Sequence, residues 1–204
     1  MRRSSTSSGH NVAESVRKWL VIDASIGGMT GGGGTVAADS PQGRCRRCLR
    51  AVQDNRYGIY FHPQTWEEWG RHRSEYSRQW LQGMYSRKRL RVKNEEEISA
   101  SVLSVRLQKL IGKKIGYEIL SEAVYTIMLK DCHLVEAALD ADRVVISLDD
   151  RVRFHFKAVS EIVTEIGPIV WVNPDNTEEE SVAWLEAGAE PEKHRQLGFR
   201  QDFP

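Results

Sequence analysis

The stretch from Lys130 to Asp150, KDCHLVEAALDADRVVISLDD, joins a helical apolar pattern to the strand-like run Val144-Val145-Ile146-Ser147-Leu148. An apolar run without polar alternation fits a strand covered on both faces, which restricts a chain to layered α/β architectures. The pattern predicts a helix from Asp131 to about Leu139, with Asp131 at its start, and a strand that ends at Asp149. Helix starts and strand ends are where an α/β sheet brings distant side chains over one crevice. A second continuous run, Trp19-Leu20-Val21-Ile22, ends on Asp23. Carboxylates delivered to one crevice make a hard, oxygen-rich site suited to Mg²⁺ or Mn²⁺.

The intervening sequence alternates strand and helix signals. Ser40-Pro41 opens a helix over 41–54, with proline at its first position. Tyr57 to Phe61 reads as a strand ended by His62-Pro63. Thr65 is a good N-cap for one helix running through Trp66, Trp69, Tyr76, Trp80 and Met84. Lys88 to Val92 reads as a strand or a loop edge. A helix is expected over Glu95 to Leu110 with Val102, Val105, Leu107 and Leu110 buried, while 117–129 is ambiguous. A helix follows Asp150, and Pro168 to Val172 is another strand. This order predicts an α/β fold with a doubly wound, mainly parallel sheet flanked by helices. Residues 1–16, Ser-rich and basic, read as a mobile tail, 17–173 as the domain, and 174–204 as a helical extension.

Gly27 to Gly34, GGMTGGGG, invites a phosphate-loop reading. No Lys-Ser or Lys-Thr pair follows the last glycine and no GxGxxG pattern fits, so a disordered rim of the active site is expected instead. Cys45 and Cys48 have CxxC spacing, but no second pair of Cys or His ligands accompanies them, so two ordinary helix thiols are expected. An odd cysteine count of three argues against a disulfide framework and for a cytoplasmic protein. No apolar run approaches the roughly 18 residues that cross a bilayer.

The formal charge of +1 hides an asymmetry: residues 44–93 carry 13 basic and 4 acidic groups, and residues 94–204 carry 12 and 21. A basic middle segment suits phosphates, although the two parts could equally neutralise each other across the fold. Clustered carboxylates repel unless a cation neutralises them. With a divalent ion such acids activate water against a phosphodiester. Ser147, two residues before Asp149 and on the same strand face, is placed to orient that water. Asp131 and Asp149 taken singly are just as readily helix N-caps.

The chain resembles the PIN-like nucleases, including the toxin ribonucleases of bacterial toxin–antitoxin pairs. The resemblance lies in VIDAS at 21–25, in the DxxxxxAAL pattern from Asp131 to Leu139, in VISLD at 145–149, and in EEWGRHRSEYSRQWLQGMYSRKRL at 67–90, which is similar to a subgroup with an EWxxHxSxY pattern. It implies a three-layer fold with a central, mainly parallel sheet, and a metal site of Asp23, Glu68, Asp131 and Asp149, with Ser147 beside them. Glu67 is the adjacent rival to Glu68, which directly precedes Trp69 as the pattern requires. The resemblance further implies Mg²⁺- or Mn²⁺-dependent endoribonuclease activity, an RNA substrate, and an antitoxin or a second copy as partner. Arg71, His72, Arg73 and Arg78, expected on the same helix as Glu68, are candidates to hold RNA phosphates. Trp66, Trp69 and Trp80 could stack bases, but the spacing of Trp69 and Trp80 fits a core-facing stripe. Cys132, His133 and Asp150 read as scaffold. Two rivals remain: an RNA-binding module without catalysis and a protein-interaction scaffold.

Overall fold

A computed structural model describes residues 16–32, 35–94, 102–115 and 118–200 of the 204. Residues 1–15 of the tail expected over 1–16, Gly33 and Gly34, and the first turns of the helix expected from Glu95 lie outside the described residues. Five parallel strands form one sheet in the order β3-β2-β1-β6-β7, with β1 at Trp19–Ile22, β2 at Gly58–Phe61, β3 at Leu90–Val92, β6 at Val144–Ile146 and β7 at Val170–Val172. A short antiparallel pair, β4 (Lys114–Ile115) and β5 (Glu118–Ile119), stands apart. The α/β architecture with a parallel central sheet flanked by helices is as the sequence predicts.

The apolar runs of β1, β6 and β7 are uninterrupted because these strands are covered twice, whereas the edge strand β3 is largely exposed. Leu20, Ile22, Val144, Ile146, Val170 and Val172 face one core. It is closed by α1 (Ala24–Met29), α2 (Pro41–Asp54), α3 (Pro63–His72), α4 (Glu75–Ser86) and α8 (Ser181–Ala187). Val21, Val145 and Trp171 face the other core, closed by α5 (Val102–Gln108), α6 (Glu122–Asp140) and α7 (Asp150–Val159). These inner strands thus contribute alternate residues to two layers. The C-terminal segment enters both cores through Trp184, Leu185 and Leu197, and the Tyr57 hydroxyl donates to the Leu185 carbonyl at 2.6 Å. No helix among the described residues is long and apolar enough to cross a membrane.

Three expectations about the helices are corrected. Asp131 does not start a helix: α6 begins at Glu122, and its cap is Ser121, whose hydroxyl accepts from the Val124 amide at 3.2 Å. Trp66 to Met84 is not one helix capped by Thr65. His62 caps α3 and Ser74 caps α4, with Arg73 extended between them at φ −62° and ψ 137°, while Thr65 is buried inside α3. Val102 and Val105 on α5 are exposed and Leu103 turns inward instead, while Leu107 and Leu110 are buried as expected.

Gly27 and Gly28 are helical rather than part of a disordered rim. A Cβ on Gly27 would sit 2.8 Å from the Trp69 ring, and one on Gly28 would lie 3.3 Å from the His72 carbonyl oxygen. These glycines let α1 press against the elbow between α3 and α4, where the Ser74 amide donates to the Gly27 carbonyl. Gly27→Ala therefore overpacks this contact, and a loss of about 1–3 kcal/mol is expected in a urea melt.

Candidate functional site

Strand order reverses between β1 and β6, with β2 and β3 on one side and β7 on the other. A parallel sheet leaves its ligand crevice at the carboxyl ends of the strands flanking that switch. Asp23 follows β1 directly, and Ser147 and Asp149 follow β6. Two ladder bonds hold these ends in register: the Asp23 amide donates to the Ile146 carbonyl at 2.9 Å, and the Ser147 amide to the Val172 carbonyl at 3.1 Å.

Ser147 is fully buried and joins the two acids. Its hydroxyl donates to Asp23 Oδ2 at 2.7 Å and accepts from the Asp149 amide at 3.1 Å. Ser25, to which the sequence drew no attention beyond its place in VIDAS, also donates to Asp23 Oδ2, at 2.6 Å. Two hydroxyls therefore occupy one oxygen of Asp23, while Oδ1 has only a long bond of 3.3 Å from the Ser25 amide. Asp149 caps α7 by accepting from the Val152 amide at 2.8 Å, and the positive end of that helix favours its charge. The capping alternative thus holds for Asp149 and fails for Asp131, and Asp23 also caps a helix, α1.

Asp131 is held in the middle of α6, whose buried residues Met128, Cys132 and Val135 pack the core beneath it. Burial pushes its carboxyl from 3.8 up to about 6, and the charges of Asp23, Asp149 and Glu68 push the same way while His133 opposes them. Three acids from other elements therefore bear electrostatically on Asp131. Glu68 is attached to α6 through two contacts. Its Oε2 lies 3.4 Å from Nε2 of His133. Its Oε1 accepts from Gln64 Nε2 at 3.2 Å, and that amide also donates to the Lys130 carbonyl. The His133 ring holds the Glu68 carboxyl below its ordinary value, burial works against that, and Gln64 and Arg71 add smaller lowering effects. Glu67 is exposed on the same helix.

His133, read from sequence as scaffold, thus stands beside an acid of the crevice. A histidine two residues from an acid on one helix gives no periodic signal, so only the approach of α3 exposes the contact. Asp150 remains outside: it accepts from Asn173 Nδ2 at 2.7 Å.

The four candidate phosphate-holding residues are dispersed. Arg71 lies near Glu68, His72 and Arg73 are exposed at the end of α3, and Arg78 belongs to α4, where Glu75 binds its guanidinium through two hydrogen bonds. The break at Arg73 is what removes Arg78 from the helix of Glu68. Trp69 and Trp80 stack with ring centroids 6.0 Å apart and donate to the carbonyls of Ile22 and Leu49; they are core residues, and Trp66 is the partly exposed one. Cys45 and Cys48 are buried free thiols, that of Cys45 pushed up to about 12 by burial, so they are inert helix residues as expected.

The donor chemistry suits a hard divalent cation: four carboxylates, one of them disfavoured as an anion by its neighbours. Among the described residues no three His, Cys, Asp or Glu side chains stand close enough to share one ion as arranged. Filling such a site requires the acids to draw closer to one another than they stand here. Comparisons with known protein families, with characterised proteins and with solved structures give no match.

Proposed function

We propose that this chain is a PIN-like, metal-dependent phosphodiesterase that cleaves RNA internally, with Asp23, Glu68, Asp131 and Asp149 as ligands of Mg²⁺ or Mn²⁺. The observation that carries this reading is the Asp131 carboxyl, raised to about 6 by burial and by three neighbouring acids at the sheet's switch point. Such a cluster is costly without a cation, and perturbed acids in a crevice mark functional sites. When bound, the ion supplies an activated water and neutralises charge on the leaving oxygen.

The chain's own residues supply position. Ser147 and Ser25 fix Asp23 through one oxygen, leaving Oδ1 as its less committed donor. The α7 N-terminus fixes Asp149 through Oδ1. Arg71, whose charge reaches Glu68, is suited to a phosphate flanking the scissile bond. His72 and Arg73 extend that surface. Toxin action, an antitoxin partner and a homodimer belong to the same proposal as its physiological setting.

The test is incubation of the purified chain with a single-stranded RNA oligonucleotide. Cleavage is expected with Mn²⁺ or Mg²⁺, none with excess EDTA, and none with the Asp149→Asn variant, whose asparagine carbonyl still caps α7. RNA that binds in a salt-dependent way but stays intact at every metal concentration would indicate a binding module instead. No RNA binding at all would favour a protein-interaction scaffold.

A further inference from the structure

His133 is 3 % exposed, and neither ring nitrogen has a well-formed hydrogen bond among the described residues. A polar atom buried without a partner costs about 1–3 kcal/mol, so its retention calls for a cause. The ring is not aimed at the apolar core: Nε2 faces Glu68 Oε2 across 3.4 Å. The opposite oxygen of Glu68 is taken by Gln64, which also reaches the Lys130 carbonyl on α6. A third group completes the arrangement. The His62 ring lies 5.8 Å from that of His133, and it is fixed because its Nδ1 accepts from the Gln64 amide at 3.2 Å. Glu68 is thus gripped from α3 on one oxygen and from α6 on the other.

We propose that His133 and Gln64 are positioning residues that together clamp the Glu68 carboxylate in the orientation needed to join Asp131 at a divalent cation, a role that rests on the metal-dependent reading above. Carboxylates that bind metals are held by outer hydrogen bonds, and such contacts commonly tighten only when the site is filled. A flexible glutamate on a helix surface loses rotamer freedom when it binds an ion; a clamp removes that loss in advance.

Calorimetric titration of Mn²⁺ into the full chain tests this. His133→Leu keeps an apolar side chain of comparable bulk in the pocket and is expected to weaken Mn²⁺ binding about 10–100-fold. His133→Gln, which can still donate to Glu68, is expected to recover part of that loss. Gln64 is exposed, so Gln64→Ala does not threaten folding and is expected to weaken binding by about 3–10-fold. In a Glu68→Gln background His133→Leu should cause no further loss, because its effect passes through Glu68. Mn²⁺ affinity within twofold of wild type in both His133→Leu and Gln64→Ala, or losses that simply add to that of Glu68→Gln, would overturn the clamp while leaving the metal site standing. Absence of Mn²⁺ uptake by the wild type would overturn both.

Discussion

Asp131→Asn is expected to lower metal-dependent RNA cleavage by on the order of 10³-fold while making the metal-free protein more stable near pH 7. The first effect follows from removing a charged donor from the proposed cation site. The second follows from the raised carboxyl. In the folded chain Asp131 titrates at about 6 instead of 3.8. Between these values the folded state holds more protons than the unfolded one, so stability falls as pH rises through that window. Above about pH 6 the whole penalty is present. The interval corresponds to at most about 3 kcal/mol, and partial contact with solvent reduces it to about 1–2 kcal/mol. Asparagine carries no such penalty. Urea melts at pH 7 should therefore favour Asp131→Asn, and the advantage should vanish below about pH 4. Cleavage at the wild-type rate contradicts the catalytic role; lower stability at pH 7 contradicts the crowding of acids.

Trp69→Ala is expected to be the most destabilising single substitution at the site's foundation, by about 3–5 kcal/mol in chemical denaturation. The ring is fully buried, stacks on Trp80 and packs against Phe61 with centroids 5.7 Å apart. Its Nε1 donates to the Ile22 carbonyl at 2.8 Å, one residue before Asp23. Truncation would leave a large cavity under Gly27 and an unsatisfied carbonyl at the end of β1. Because domains of this size have roughly 5–15 kcal/mol in total, the variant should be partly unfolded at 37 °C. Trp69→Phe keeps most of the volume and loses the hydrogen bond, so about 1–2 kcal/mol is expected. A Trp69→Ala melt within 1 kcal/mol of wild type would mean that the α1–α3 contact contributes little.

The strands were readable from sequence because burial on two faces leaves no polar alternation: Trp19–Ile22, Gly58–Phe61 and Val144–Ile146 all lie within the predicted runs. Asp23 directly follows β1 as the run implies, whereas β6 ends at Ile146, two residues short of the expected Leu148, and Asp149 caps α7 beyond it. Helix boundaries were harder. The α6 stretch from Glu122 to Lys130 carries Thr126, Tyr125 and exposed Leu129, which blur its period, and Asp131 resembles a helix start because aspartate so often caps. Extended backbone at Arg73 is dictated by docking of Ser74 onto Gly27, a long-range contact that no local pattern reports. The glycine run looked loose because close approach and loop freedom use the same residue. Ser25, Gln64 and His133 were invisible as site residues, since each acts through a neighbour on another element or turn. Their positions become meaningful only once α1, α3 and α6 surround the end of β1.

The titration of the Asp131 side-chain carboxyl, followed by carbon-13 NMR in metal-free protein and again with saturating Mg²⁺, reads the crowding of the four acids and its relief together. A carboxyl that titrates near 6 without metal and falls well below its ordinary value with Mg²⁺ is the expected result. A carboxyl that titrates at an ordinary aspartate value and does not respond to Mg²⁺ would contradict a four-acid cation centre.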